Sequence, residues 1–156
     1  MGLIGIYSSL WPQMSQNQVL ATPPTGLRYL TATRNAAQQH TGDPVCRVGL
    51  KSGRTCGQVT FENETMESQV GAIVYYIDHT YGMDFDSLEG DSGGPVFQYS
   101  PTPGNVIGYG THVHSEDEDD EDPTPDESWY STINWGWTAY NSLFGVTYSV
   151  CTTSPC

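Results

Sequence analysis

One short segment of the chain has residue types and spacing that suit nucleophilic catalysis. A serine hydroxyl is a poor nucleophile unless a base removes its proton and N–H donors receive the developing oxyanion. Glycines beside Ser92 let the backbone turn sharply, so the amides of Gly90 and Ser92 can point at one spot as an oxyanion hole. The segment predicts a serine nucleophile, although it is also typical of a turn between strands. Its residues are Gly90, Asp91, Ser92, Gly93, Gly94 and Pro95.

The composition indicates the kind of domain that must position this serine. A chain of 156 residues suits one domain with a real core. It contains 17 glycines, 10 prolines and 12% aromatic residues, and its apolar runs are short. This pattern favours an all-β domain with many turns over a helical bundle. No apolar run approaches the length of a membrane span, so we expect no membrane partner.

The charge of the chain is strongly acidic and mostly local. The formal net charge is −13, and only five Lys and Arg residues are available to meet phosphates, which argues against a nucleic-acid partner. Nine of the acidic residues lie between positions 115 and 128. A solvated loop held open by self-repulsion explains this run, and binding of a cation or a basic substrate is the alternative. The run lacks the ligand spacing of an EF-hand.

The cysteines predict disulfides rather than a metal site. Cys46, Cys56, Cys151 and Cys156 form no Cys-x-x-Cys pair, and the histidines are not spaced as zinc partners. Two disulfides in an oxidising compartment are the simplest interpretation, so we expect a secreted, extracellular protein. Residues 1–7 do not have the pattern of a secretory signal. We expect neither a metal nor another cofactor.

The local patterns predict short strands and one helix. Six of these short strands and the C-terminal helix describe one closed barrel. The helix is expected over 134–144, where Gly145 can end it. The β-prone runs are 27–33, 45–50, 55–61, 69–77, 96–99, 106–114 and 129–133, with a further strand expected at 146–150.

The order of these elements resembles that of chymotrypsin-like serine proteases, in their streptogrisin-like bacterial branch. The nucleophile segment 90–95, the hairpin 45–59 and the closing segment 130–134 carry the resemblance. It runs from about residue 27 to 145 and implies a six-stranded antiparallel barrel, the C-terminal half of such a protease. Residues 1–26 would then be a remnant of the first barrel or its connector. Residues 146–156 would be an extension, in which Cys151 and Cys156 can close a small loop.

The resemblance also implies how the nucleophile segment is held. In the streptogrisin-like relatives, cysteines at the positions of Cys46 and Cys56 are bonded to each other. The arginine after the first cysteine pairs there with the aspartate before the nucleophile, so Arg47 is expected to neutralise Asp91. Such pairing suits a buried carboxylate, whose burial alone costs several kcal/mol.

A specificity pocket follows from the same resemblance. In trypsin-like members, residues at the positions of Asp86 and Ser87 line the base of the pocket, where the carboxylate meets an Arg or Lys side chain. The expected activity is therefore endopeptidase cleavage of protein or peptide substrates after Arg or Lys; an exposed loop aspartate is the alternative for Asp86. Thr111 and Val113 match the substrate-binding strand, and Val113 could narrow the pocket.

The base that such a site needs has no match in this chain. The family's catalytic histidine and aspartate lie upstream, on a first barrel. His40, His79, His112 and His114 match neither, and each is expected to be a surface or loop histidine. We therefore expect the chain alone to be barely active and to need an N-terminal barrel. The alternative is a catalytically dead, protease-like binding module. An α/β-hydrolase elbow is disfavoured because Pro95 leads into a strand instead of a helix.

Overall fold

The computed structural model covers the central part of the chain. It describes residues 18–22, 26–70, 72–85, 87–88, 90–115, 127–135, 138, 142, 145 and 152. Asp86, Cys151, Cys156, most of the acidic run and the strand expected at 146–150 therefore lie outside the described residues. Of the predicted C-terminal helix, residues 134, 135, 138 and 142 are described, and they are helical.

Strands dominate the described residues, which confirms the predicted mostly-β class. A short 3-10 helix, Ala36–Gln38, connects the second and third strands. No helix in the described ranges is long and apolar enough to cross a membrane. The strands are β1 Gln18–Thr22, β2 Gly26–Thr33, β3 Pro44–Gly49, β4 Gly53–Gln58, β5 Glu64–Val70, β6 Ile73–Met83, β7 Pro95–Tyr99, β8 Asn105–Ser115 and β9 Ser128–Thr132.

These strands form a nine-stranded sheet rather than the six strands expected. The order is β4-β3-β7-β8-β9-β6-β5, and β2 joins β8 in parallel while β1 pairs with β2. No ladder between β4 and β5 closes this order within the described residues. The segment after β4 instead runs beside the end of β6, through a bridge between Val59 and Met83 and a 3.0 Å bond from Thr60 N to Gly82 O.

The core lies on both sides of β3, whose residues are buried along almost its whole length. Val45 belongs to one apolar cluster, while its neighbour Cys46 and Val48 belong to the other. Alternate residues of a strand point to opposite faces, so β3 is buried on both. The first cluster also holds Val59, Tyr81, Met83, Phe85, Val96, Tyr109 and Tyr130, and the second holds Leu30, Phe97 and Val106.

The single strand predicted over 69–77 is wrong, because a hairpin turn divides this run. β5 ends at Val70, β6 begins at Ile73, and these two residues pair across the turn. Ile73, Tyr75 and Tyr76 are exposed at the tip of the hairpin. The β-branched and aromatic residues of this run favour strand structure, whether or not their side chains are buried in the core.

Candidate active site

The candidate nucleophile lies on a tight turn that leads directly into β7. The N–H of Asp91 donates to Leu88 O and that of Gly94 to Asp91 O, both at 3.0 Å. Gly90 and Gly93 adopt φ values of +99° and +89°, a region that residues with a Cβ rarely occupy. The turn thereby leaves Ser92 exposed at its tip.

Asp91 anchors this turn from below as a buried carboxylate. Its Oδ2 lies 2.7 Å from Arg47 Nη1, and both side chains are fully buried. Its Oδ1 accepts hydrogen bonds from the backbone N–H of Lys51 at 2.7 Å and of Ser52 at 3.2 Å. The Leu88 N–H donates to Oδ2 at 3.0 Å. Burial alone raises the pKa of Asp91, but these hydrogen bonds outweigh it and hold that pKa well below its usual value.

The β3–β4 hairpin supplies the partner of Asp91 and is covalently braced. Cys46 and Cys56, opposite each other in the ladder, form the disulfide that the resemblance implied, which confirms that pairing. Arg47 is held by Ser52 Oγ at 2.8 Å and lies 5.8 Å over the Phe85 ring.

Gly49, at the end of β3, allows the Asp91 carboxylate to approach this strand closely. A Cβ at Gly49 would overlap the Asp91 side chain and crowd Nη1 of Arg47. The glycine at the end of β3 therefore makes room for the buried ion pair that pins the nucleophile turn.

The N–H groups expected to form the oxyanion hole have no acceptor in the part of the chain that the structure describes. The amides of Gly90 and Ser92 donate to no carbonyl or side chain there. The Ser92 hydroxyl donates to Val113 O at 3.4 Å. A hydroxyl beside two unused backbone donors is the arrangement that stabilises an oxyanion, provided that a substrate carbonyl is placed between them.

Strand β8 lies against the nucleophile turn. The His112 N–H donates to Gly94 O, and the Gly93 N–H donates to His112 O, both at 2.9 Å. Behind this contact, the fully buried Gln39 donates to Tyr109 O at 3.0 Å and accepts from the Tyr130 hydroxyl at 2.7 Å. The position of His112 relative to Ser92 is thereby fixed by backbone pairing.

A cleft of about 550 Å³ opens beside Ser92. Of the predicted pocket residues, Ser87 lines it, whereas Thr111 and Val113 are not among the lining residues. The cleft is lined by Lys51, Ser87, Leu88, Gly90, Ser92, His112, His114 and Ser115.

Sequence reasoning missed the residues of β8 that face the cleft. His112 and His114 are two positions apart in a β-prone run, a spacing that places both side chains on one face of a strand. The spacing therefore indicates that the two histidines share a face of the strand. Which face of β8 meets Ser92 depends on the register of β8 against β7, which the spacing does not give.

His112 contradicts the expectation of a surface or loop histidine. Its side chain is 2% exposed, and neither ring nitrogen has a hydrogen-bond partner among the described residues. Burial, together with the nearby positive charge of Arg47, lowers the pKa of His112 to about 4. The imidazole is therefore neutral at neutral pH, and His112 is one of the residues that line the cleft.

His40, His79 and His114 do not contact the Ser92 hydroxyl. His40 lies 3.6 Å from Glu62, and His79 bonds Asn63 at 2.6 Å while stacking on Trp135. His114 stacks near Trp129, with ring centroids 5.6 Å apart. Within the described ranges the site thus holds the candidate nucleophile Ser92 and the candidate N–H donors, but no general base bonded to Ser92. No group of three or more His, Cys, Asp or Glu that could hold a metal ion occurs there either.

Comparisons with known proteins reveal the fold through structure rather than sequence. No protein-family model matches the chain, and no curated protein matches it. A glutamic-acid-specific serine protease, described as using a histidine triad in substrate binding, superposes with a TM-score of 0.62 at 20% identity over 80% of this chain and 57% of its own. Thermobifida fusca protease A gives 0.60 at 21% identity over 86% and 61%. Cellulomonas bogoriensis chymotrypsin gives 0.61 at 20% identity over 87% and 63%.

These neighbours are chymotrypsin-like serine proteases, and two of them carry the names of bacteria. The chain shares their fold and spans 57% to 63% of the length of these three. The fold of the described residues is therefore similar to that of chymotrypsin-like serine proteases.

Proposed function

We propose that the chain is the nucleophile-bearing part of a serine endopeptidase. The observation that carries this proposal is the exposed Ser92 on a turn pinned by the buried Arg47–Asp91 pair, beside the amides of Gly90 and Ser92, which have no acceptor among the described residues. A turn sequence without a catalytic purpose has no need for a fully desolvated ion pair beneath it, since such a pair contributes little net stability.

In the proposed reaction, Ser92 Oγ attacks the carbonyl carbon of the scissile peptide bond. A base takes the hydroxyl proton, the Gly90 and Ser92 amides bind the oxyanion, and the base returns the proton to the leaving amine. Water then cleaves the acyl-enzyme ester by the same steps, which releases the acid product and restores Ser92. The described residues provide the nucleophile and the donors.

The base is proposed to come from a first barrel that completes the site. In this proposal residues 27–145 are the C-terminal barrel, closed where the segment after β4 meets β6. Residues 1–26 are the connector and 146–156 an extension, with Cys151 and Cys156 as a second disulfide. The chain spans 57% and 63% of the length of two structural neighbours. The Cys46–Cys56 disulfide supports an extracellular location.

Two substrate preferences have separate support. Asp86, by resemblance, would bind an Arg or Lys side chain at the base of the pocket. The described lining favours an acidic side chain instead, because it contains the ammonium group of Lys51 and the hydroxyls of Ser87 and Ser115, which can donate hydrogen bonds. The glutamic-acid specificity of one structural neighbour agrees with the second preference.

Covalent labelling tests the proposed nucleophile. The whole chain is incubated with a fluorophosphonate, and intact-mass spectrometry counts the adducts. We expect a slow single adduct, lost in Ser92→Ala and retained in Ser115→Ala, a serine of the same cleft. Labelling that is unchanged in Ser92→Ala would exclude Ser92 as the nucleophile. A chain that binds peptides but never labels would be the catalytically dead binding module.

A peptide library tests the preference once turnover is obtained with a first barrel. Cleavage after Arg or Lys supports the role of Asp86, and cleavage after Glu or Asp supports the cleft residues. Equal cleavage after Leu and Phe would contradict both.

A further inference from the structure

We infer that Lys51 binds the carboxylate of an acidic substrate residue that follows the scissile bond, and that it thereby selects the leaving side of the cleavage site. This inference rests on the proposed function, since it concerns the same cleft. Of the groups that favour an acidic substrate there, it assigns the ammonium of Lys51 to the residue after the bond. The part of the cleft beside β8 receives the residue before the bond.

The first step of the argument is the position of Lys51, the single lysine in a chain with a formal net charge of −13. It lies on the turn between β3 and β4, and its N–H donates to Asp91 Oδ1 at 2.7 Å, which fixes its backbone beside the nucleophile turn. Its side chain passes over Gly90, where a Cβ would lie 3.4 Å from Lys51 Cγ and 3.6 Å from Lys51 Cε. The ammonium therefore lies near the residue whose amide is proposed to bind the oxyanion.

The second step is the sheet order, which places Lys51 across the nucleophile turn from β8. The turn leads into β7, and β7 pairs with β3 on one side and with β8 on the other. β8 contacts the turn through hydrogen bonds with Gly93 and Gly94, whereas Lys51 contacts it at Gly90. Lys51 and β8 therefore form opposite walls of the cleft beside Ser92.

The third step is the path of the substrate. A peptide attacked by Ser92 has chain on both sides of the reacting carbonyl carbon, and the two directions diverge when its oxygen binds the amides of the oxyanion hole. In the proposed endopeptidase the part before the scissile bond lies against β8. The part after the bond therefore leaves over the turn that carries Lys51.

The fourth step is the charge of this wall, which favours an anion. None of the described residues that line the cleft is acidic, and Asp91 beneath the turn is neutralised by Arg47 at 2.7 Å. Glu89, next to Gly90 in the sequence, lies outside the described residues. Because Lys51 is exposed, its ion pair with a substrate carboxylate is partly screened by water, and we expect a preference of about three- to fivefold.

Peptide α-ketoamides test the inference on the whole chain, because their ketone fixes the register. Ser92 Oγ adds to the ketone carbon, the hydroxyl proton passes to the ketone oxygen, and the reversible hemiketal keeps the chain on both sides. The ligands are acetyl-Ala-Ala-Ala α-ketoamides continued by Glu, Gln or Lys amide, and calorimetry measures their dissociation constants. We expect the Glu ligand to bind about three- to fivefold more tightly than the Gln ligand and the Lys ligand to bind most weakly. The preference should shrink in high salt.

Variants separate Lys51 from other positive charges. Lys51→Met keeps an unbranched stem and the backbone N–H, and it should bind the Glu and Gln ligands equally, whereas Lys51→Arg should retain the preference. Arg54→Met is the matched control on the same hairpin, where Arg54 donates to the Tyr99 hydroxyl at 3.1 Å, and it should leave the preference unchanged.

Three results would overturn the inference. They are equal binding of the Glu and Gln ligands by the unchanged chain, a preference that survives Lys51→Met, and no binding of any ligand. A ligand with Glu before the ketone and Ala after it should not respond to Lys51→Met, and a response would place Lys51 on the other side of the bond. Failure of the preference with intact Ser92 labelling leaves the endopeptidase proposal standing, whereas absence of both labelling and ligand binding would refute both proposals.

Discussion

Replacing Arg47 with methionine tests how the nucleophile turn is held. The substitution keeps an unbranched apolar stem but removes the guanidinium that lies 2.7 Å from the buried Asp91 carboxylate. Breaking a buried pair on one side leaves an uncompensated charge and typically costs about 3–5 kcal/mol. Three backbone N–H groups still bond Asp91, so we expect the lower end, about 3 kcal/mol, in urea unfolding at pH 7.

The pH dependence identifies charge as the cause. The pKa of Asp91 is depressed in the folded chain, so its stabilising contribution is present above its ordinary pKa of 3.8 and is lost as the pH falls through the lower folded value. Without Arg47 that pKa rises, so protonation relieves the buried charge at a higher pH. The stability deficit of Arg47→Met should therefore shrink between pH 7 and pH 4.

Two further variants control for lost packing. Arg47→Met combined with Asp91→Asn removes both charges and should be more stable at pH 7 than Arg47→Met alone. Arg54→Met, on the exposed side of β4, should change stability by less than about 1 kcal/mol. A deficit for Arg47→Met below 1 kcal/mol, or one that is equal at pH 7 and pH 4, would refute the reasoning.

Three other predictions concern neighbouring parts of the site. The pKa of His112 falls from 6.5 to about 4 on folding, so the chain should lose up to about 3 kcal/mol of stability as the pH falls from 6.5 to 4. His112→Phe should remove this part of the dependence of stability on pH. Replacing Cys46 and Cys56 with serine should lower the free energy of unfolding by about 2–3 kcal/mol, because the disulfide closes a short loop; chemical unfolding measures this. Gly94→Ala should lower the melting temperature by several degrees, because its Cβ would overlap the Val48 carbonyl.

Local sequence was sufficient for the parts of the site that lie close together in the chain. The glycine pattern around Ser92 depends on turn geometry, which a few residues determine. The pairing of Cys46 with Cys56 was expected from the family resemblance, and the structure contains it. The contact between Arg47 and Asp91 joins residues far apart in sequence, and it was expected only because the family resemblance supplied it.

The features that the sequence did not predict depend on the register between paired strands, which a single sequence does not reveal. The burial of His112 follows from the pairing of β8 with β7, and a shift of one residue would turn Thr111 and Val113 towards the cleft instead. The apolar run 69–77 suited a single buried strand equally well until pairing between Val70 and Ile73 placed it at a hairpin tip.

The measurement that tests the central claim most directly is the dependence of Ser92 acylation on added imidazole. A site with a positioned nucleophile and oxyanion donors but no base should accept an external base. We predict that fluorophosphonate labelling of the whole chain is slow in its absence and accelerates in proportion to the concentration of neutral imidazole, while Ser92→Ala stays unlabelled. Rapid stoichiometric labelling without imidazole would contradict the missing base. Equal lack of labelling in the chain and in Ser92→Ala at every imidazole concentration would contradict the nucleophile itself.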